Sequence, residues 1–402
     1  MEGSKLANVE PHVEVYDVGK ITQVSYGNAG KIAVIGAFPT ADFKLDVFTD
    51  YEEARNALKG AYRTIDDNSI ANKSKDPVPD TYIAFYCLDY LFNSYKNSLG
   101  AESVVICNTN YGKGSLVQSS SNADIDAACT LLAEEDFDIL TIAETTALVT
   151  STTVSNETVY ILNPVFETLK TFVNGQFKDQ KPFGIITGID LTANVNNDII
   201  GEFVNLYSDK GIFKAVVTPV RISGASTSLN IAESGCWHAA FTAGRAVNKS
   251  ETAKVYDGII GENSKDKYPM TGTPTWKKLL DSGFHTTKYK NRRLQTIQCL
   301  SNVTPAGYDM KIERVKNYMI KRLTLADFLG DDNNSITRDS IKGKFEFEKQ
   351  MAIQNNYLVD MEYNIVNITT DKIKANLKLY IPDVVRVIQL DVTVEIAAYE
   401  EA

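Results

Sequence analysis

The 402-residue sequence has few of the residues that usually build catalytic and metal sites. It contains three histidines and five cysteines, and none of them forms a Cys-x-x-Cys or His-x-x-x-His pair. We therefore expect neither a metal centre nor a disulfide framework. No stretch of 18 apolar residues occurs, and residues 1–10 lack the apolar core of a signal peptide. This predicts a soluble protein made in the cytosol, without direct membrane insertion.

Motifs for nucleotides and for serine hydrolases are also missing. The first predicted strand runs into Ile35–Pro39 without a Gly-x-Gly-x-x-Gly sequence, and Gly112–Ser115 lacks the spacing of a phosphate-binding loop. No Gly-x-Ser-x-Gly nucleophile elbow is present. We therefore expect no cofactor.

One segment, Ser234–His238, leaves an enzymatic alternative open: a cysteine hydrolase in which Cys236 is the nucleophile and His238 or His285 the base. Two residues along a helix turn the side chain of His238 about 200° from that of Cys236. The other interpretation is a packed helix, in which Gly235, Ala239 and neighbouring small residues allow two backbones to approach.

The composition, with 44% hydrophobic and 23% charged residues, is that of a folded globular protein. Short apolar runs alternate with amphipathic segments from Ala29 to Tyr268, which predicts an α/β domain. The predicted strands are 32–38, 104–107, 138–142, 183–189 and 213–218. The predicted helices are 50–59 with a Thr49–Glu52 capping box, 81–99, 123–134, one opened by Asn163 and Pro164, 197–208 and 234–246.

Beyond Pro269 and Pro274 the pattern changes to α+β. A helix is predicted over 310–329, and strands over 356–368, 376–381 and 385–396. Residues 11–28 have a strand-like alternating pattern, which predicts an extended segment. The chain is therefore divided into an N-terminal arm (1–28), an α/β domain (29–268), an α+β domain (269–385) and a C-terminal strand (386–402).

The charge is distributed unevenly. The net charge of −10 excludes a generally basic nucleic-acid-binding protein. However, residues 277–322 contain 11 basic and three acidic residues, a local charge of +8 that leaves −18 for the rest. The helix in this segment is either a docking face for an acidic partner or a solvated face. Both ends of the chain also lack a hairpin partner nearby, which favours pairing with other chains.

This order of parts resembles the tail sheath proteins of contractile bacteriophages and related injection systems. The likeness lies in the strand ending at Pro39 with the following Val47–Glu53 segment, in Thr81–Asn108, in Gly235–Arg245, and in Lys311–Arg322 with the terminal strands. The chain is short for that family, without large outer domains.

The resemblance implies a structural protein without catalytic activity. It would form hexameric rings stacked as a helical sleeve around a tail tube, and contraction would drive the tube through a cell envelope. Partners would include the tube, baseplate and tail terminator proteins, and the location would be the virion tail after assembly in the host cytoplasm. The arms donated to neighbouring subunits would contain Val13, Val15 and Val18 and, at the other end, Val392, Val394 and Ile396. The tube-facing helix would contain Lys311, Arg314, Lys316, Lys321 and Arg322.

Overall fold

The structure is a computed structural model. It describes residues 30–60, 78–79, 81–92, 100–179, 181–190, 195, 197–207, 212–216, 220–222, 235–251, 255–256, 259–261, 274–284, 287–290, 293–296, 309–324, 328, 335–369 and 372–382. The predicted arms, with Val13, Val15, Val18, Val392, Val394 and Ile396, lie outside these residues.

The first half of the chain alternates between strands and helices. In chain order, its elements are β1 (Lys31–Gly36), β2 (Leu45–Phe48), α1 (Tyr51–Leu58), α2 (Ile83–Leu91), β3 (Ser103–Asn108), α3 (Asn122–Leu132), β4 (Ile139–Ile142), β5 (Thr146–Ala147), β6 (Val149–Val154), β7 (Glu157–Leu162), α4 (Val165–Lys178), β8 (Gly184–Asp190), α5 (Asn197–Leu206) and β9 (Ile212–Val216).

The remaining elements are shorter until the last two helices. They are β10 (Val220–Ile222), α6 (Cys236–Ala243), β11 (Val255–Tyr256), β12 (Ile259–Gly261), α7 (Pro274–Asp281), β13 (Thr287–Lys290), β14 (Arg293–Thr296), α8 (Met310–Arg322), α9 (Ser335–Gln354), β15 (Asp360–Thr369) and β16 (Lys372–Tyr380). Among the described helices, none is long and apolar enough to cross a membrane.

A mostly parallel sheet organises the first half. Its order is β2-β3-β1-β4-β8, with β9 on the far side of β8 and β5 paired to the end of β8. The pairings within it are parallel except for the antiparallel edge strand β2. Strands covered on both faces are buried along their length rather than on alternate residues, as in β3 and β4. The predicted α/β architecture is therefore found.

The two faces of this sheet bury separate cores. Along β1, Ile32 and Val34 face a core with α1, α2 and α6. Ala33 and Ile35 face the opposite core, with α3, α4 and α5, as the two-residue period of a strand requires. Leu279 and Phe284 also lie in this second core, although they follow the predicted boundary at 268/269. The division into domains stays a prediction.

Helix α1 begins differently from the prediction. Asp50, not Thr49, is the N-cap, and its carboxylate accepts a hydrogen bond from the Glu53 backbone N–H at 2.9 Å. An aspartate acceptor one residue further along satisfies the open N–H group, so the Thr49–Glu52 capping box is wrong. A capping box does occur at α3, between Ser121 and Asp124.

A third core lies in the C-terminal part. Residues of α8, α9 and the antiparallel β15–β16 hairpin surround Val315, Phe345 and Met361, and Val247 joins them from the segment after α6. Helices on an antiparallel hairpin agree with the predicted α+β character. Helix α8 ends at Arg322 rather than at residue 329, and α9 was not predicted.

Candidate assembly interface

The carboxyl edge of the parallel sheet, where α/β enzymes usually bind ligands, contains buried polar side chains. The Asn108 amide oxygen accepts from the backbone N–H of Phe38 at 3.3 Å and of Asn110 at 3.0 Å, and its nitrogen donates to the Thr40 carbonyl at 2.7 Å. The Asn110 amide likewise bonds the backbone of Phe38 and Val117. Both amides thus tie the loops after β1 and β3 together.

Glu144 lies beside these loops, just after β4. Its carboxylate accepts from the Ala37 backbone N–H at 2.6 Å and lies 3.3 Å from the Ser120 hydroxyl. Burial raises the pKa of Glu144 to about 7, although the N–H and hydroxyl donors act to lower it. This carboxylate therefore links the end of β4 to the loop after β1 and to the loop before α3.

Cys236 and His238, two residues of the hydrolase alternative, both lie in the buried interior of the protein. Cys236 is completely buried at the start of α6, with its sulfur 3.8 Å from the Thr141 hydroxyl. His238 is also completely buried, and its Nδ1 lies 3.5 Å from a carboxylate oxygen of Glu251. His285 lies outside the described residues. The geometry therefore gives the alternative no support.

The packed-helix interpretation of this segment is confirmed. An added Cβ at Gly235 would come within 2.7 Å of the backbone of Thr187 and Gly188 in β8. Glycine is thus required for the start of α6 to lie directly on the sheet. Burial also raises the pKa of Cys107 to about 11 and that of Cys129 to about 12, as expected for inert core thiols. Within the described ranges, no cluster of three or more metal-ligating residues occurs.

The basic helix α8 is mostly buried, which the sequence did not predict. Lys311 and Arg314 are both buried, and the Arg314 guanidinium donates to the Arg245 carbonyl at 2.8 Å. Lys316 pairs with Glu313 one turn earlier on the same helix. A freely solvated basic face is therefore wrong for this part of α8, because the α6–β11 segment and the C-terminal core cover it.

Lys321, near the end of α8, joins the C-terminal part to the α/β sheet. Its ammonium group donates to Asp136 at 2.8 Å, to the Phe137 carbonyl at 2.6 Å and to Asp138 at 3.0 Å. Burial acts to raise the pKa of Asp136, but Lys321 and Lys31 outweigh it and hold that pKa below its ordinary value. We call Lys321 with Asp136, Phe137 and Asp138 the α8 clamp.

Arg322 completes the set of basic residues expected to face a tube. Its guanidinium binds both carboxylate oxygens of Glu348 on α9, at 3.1 and 2.8 Å. All five basic residues lie on α8. Contact of these residues with a tube stays a prediction. The side chains of Lys316 and Arg322 are more exposed than that of Lys321.

The β15–β16 hairpin forms a separate two-stranded sheet. Its register runs from Asp360 opposite Tyr380 to Thr369 opposite Lys372, with an irregularity between Asn367 and Thr369. One face packs on the third core through Met361, whereas Glu362 and Lys378 form an ion pair on the other. Within the described residues, each strand pairs only with the other. Among the described residues, the outer edge of each strand therefore has no strand partner.

Helix α9 supplies a second exposed surface. Ile341 and Phe345 face the third core, whereas Ile336 and Phe347 are 75% and 58% exposed on the opposite side. Gly343 lies between these two on the same side, and an added Cβ there would meet no atom within 4 Å. We call Ile336, Gly343 and Phe347 the outer face of α9.

Comparison with known proteins gives a consistent result for the fold. No family model and no curated protein sequence matches the chain. Among solved structures, the contracted helical sheath of the anti-feeding prophage is similar, with a TM-score of 0.59, 10% identity, and coverage of 91% of this chain and 93% of that one. A sheath tail protein from Listeria innocua has a TM-score of 0.57 and 13% identity, over 91% of this chain and 96% of its own.

A component of the anti-feeding prophage baseplate structure is also similar, with a TM-score of 0.58 and 10% identity over 92% of this chain and 94% of that one. At these identities the likeness establishes the fold. The chain therefore has the fold of sheath proteins of contractile injection systems, along nearly its whole length, and the resemblance seen in the sequence is confirmed at that level.

Proposed function

We propose that this protein is the structural subunit of a contractile sheath, which polymerises as a helical sleeve around a tube and contracts to drive the tube through a cell envelope. The observation that carries the proposal is the match of fold over 91% of the chain to a sheath in its contracted, helical state. The proposed role is structural and needs no catalytic residue. It places the protein in the tail of a virion or a related particle, after assembly in the host cytoplasm.

Subunits are linked, in this proposal, by strands added to the β15–β16 hairpin. The N-terminal arm with Val13 and Val15 and the terminal strand with Val392 and Val394 would occupy the two outer edges in neighbouring subunits. A strand of five or six residues adds several backbone hydrogen bonds, each contributing about 0.5–1.5 kcal/mol. Alternate apolar side chains add to this, so such links can persist while other interfaces slide.

Contact with the tube is assigned to the C-terminal part of the chain. The exposed portions of Lys316 and Arg322 offer positive charge for an acidic tube surface, and exposed ion pairs of about 0–1 kcal/mol each suit a contact that releases on contraction. The outer face of α9, with Ile336 and Phe347, is the alternative surface on the same part of the chain. Hexameric rings, a baseplate and a tail terminator complete the proposed set of partners.

Removal of the N-terminal arm tests the proposal. We expect a variant lacking residues 1–25 to remain a folded monomer with unchanged circular dichroism but to form no sleeves in negative-stain electron microscopy. A variant lacking residues 1–10 retains Val13 and Val15 and is the matched control, which should assemble normally. Sleeves of normal length from the longer truncation would contradict arm-mediated assembly, and a full-length protein that forms no sleeves would contradict the proposed function.

A further inference from the structure

The β6–β7 hairpin projects from the carboxyl edge of the sheet. Its base is anchored by Val149 and Leu162, which are buried, and by the Asn163 amide, which donates to the Ala147 carbonyl at 3.0 Å. All residues from 151 to 161 are exposed. Strands of six residues extend about 20 Å. We call residues 150–161 the β6–β7 arm.

The exposed side chains of this arm are almost uncharged, and four of the twelve are apolar. Val154, Val159 and Ile161 share one face with Thr150, Thr152 and Glu157, because Thr150 lies opposite Ile161, Thr152 opposite Val159 and Val154 opposite Glu157. Val154 is 54% exposed and Tyr160, on the other face, 42%. Clustered exposed apolar groups of this kind mark interaction sites more often than isolated ones do.

The turn of the arm fixes its shape. Ser155 and Asn156, the two residues between the strands, have φ angles of 51° and 69°. Positive φ at both central positions is the geometry of a type I′ turn, whose twist matches that of the paired strands. The arm therefore has one defined register, although a two-stranded hairpin with little cover is marginally stable in water by itself.

We propose that the β6–β7 arm docks on a neighbouring copy of this chain inside the polymer, a contact separate from the arms at the chain ends. The proposal rests on the sheath function, because the polymer brings the copies together. Copies with a net charge of −10 repel one another, so uncharged surfaces are favoured where they meet.

The composition of the arm fits a neighbouring copy of this chain as its binding partner. Residues 148–162 contain a single charged residue, Glu157, whereas the chain average of 23% corresponds to about three in such a segment. The absence of Lys and Arg disfavours nucleic acid and anionic lipid as partners. The contact is heterologous, since neighbours in a helical polymer present different surfaces to each other.

The test compares two sets of threonine substitutions. Val159→Thr with Ile161→Thr keeps the β-branched shape and the hairpin but removes apolar contact. Val47→Thr, at a 48% exposed strand position on β2, is the matched control. We expect equal thermal midpoints for all proteins, and a critical concentration for sleeve formation about tenfold higher for the arm variant alone. An unchanged critical concentration would overturn the proposal while leaving the sheath function intact.

Hydrogen–deuterium exchange gives a second readout that does not depend on folding of a variant. In the wild-type sleeve, the amides of residues 150–161 that do not donate across the β6–β7 hairpin should exchange at least tenfold more slowly than in the monomer. Equal exchange in both states would overturn the proposal. If the wild type forms no sleeves, the test is the self-association of wild type and arm variant, measured by sedimentation at increasing concentration. Weaker association of the variant supports the arm contact. Identical sedimentation of the two proteins contradicts it.

Discussion

The α8 clamp makes a quantitative prediction for Lys321→Met. The ammonium group of Lys321 makes three contacts with Asp136, Phe137 and Asp138 at 2.6–3.0 Å, and its side chain is only 18% exposed. Methionine retains most of the aliphatic chain but leaves two neighbouring carboxylates without this cation. Hydrogen bonds to charged groups contribute about 1.5–3 kcal/mol each, and exposed pairs about 0–1. Because Asp136 is mostly exposed, we expect a total loss of about 2–3 kcal/mol.

The assay is thermal unfolding by circular dichroism and calorimetry. For a chain of this length, the expected loss lowers the midpoint by about 3 °C. Lys342→Met is the matched control, because Lys342 lies 3.0 Å from Asp339 but both side chains are more than half exposed. This variant should shift the midpoint by less than about 1 °C. Equal shifts for the two variants would refute the assignment of the clamp.

The pH dependence of the clamp has a defined sign. The pKa of Asp136 is lowered in the folded state from its ordinary value of 3.8. A lowered carboxyl pKa contributes stability that is present above the unfolded value and lost as pH falls through the folded one. The difference between wild type and Lys321→Met should therefore be full at neutral pH and narrow at pH values below 3.8. A stability difference between wild type and Lys321→Met that stays constant from neutral pH to below 3.8 would also refute the reasoning.

Three further predictions concern the α/β part. Gly36→Ala should destabilise the protein by about 1–3 kcal/mol, because its Cβ would lie 2.9 Å from that of Ala143. Gly175→Ala, with open space in α4, should stabilise the protein by up to about 1 kcal/mol. Thermal midpoints that shift in the same direction for the two variants would contradict this. The raised pKa of Glu144, about 7, predicts that wild-type stability decreases as pH rises from about 4.5 to 7, and Glu144→Gln should flatten that slope in thermal unfolding. Cys236 should resist alkylation until the protein unfolds, and rapid labelling of this thiol in the native state would revive the hydrolase alternative.

Local patterns were sufficient to predict most of the sheet. Strands β3 and β4 are short apolar runs, and α3 and α5 have helical spacing, so each carries its own signal in sequence. The β6–β7 hairpin also has a signal in the sequence, since two strand-like runs flank Ser155 and Asn156, but the hairpin was not predicted. Helix α9 was missed because its outer face includes Ile336 and Phe347, which weakens the amphipathic pattern expected for a surface helix.

The basic helix illustrates what sequence alone does not determine. The charges of α8 were correctly counted, but their exposure depends on groups far along the chain. Lys321 meets Asp136, which lies 185 residues earlier, and Arg314 meets the carbonyl of Arg245. Since burial of a cation is possible only where such partners exist, helical spacing could not distinguish a docking face from an internal clamp.

The central claim is that the subunits of a helical polymer are joined at the β15–β16 hairpin. A cryo-electron microscopy reconstruction of the assembled full-length protein tests it most directly. We predict a helical sleeve in which each outer edge of β15–β16 is paired with a strand from another subunit. A sleeve in which the hairpin remains two-stranded would contradict the claim, as would a full-length protein that stays monomeric in the presence of tubes.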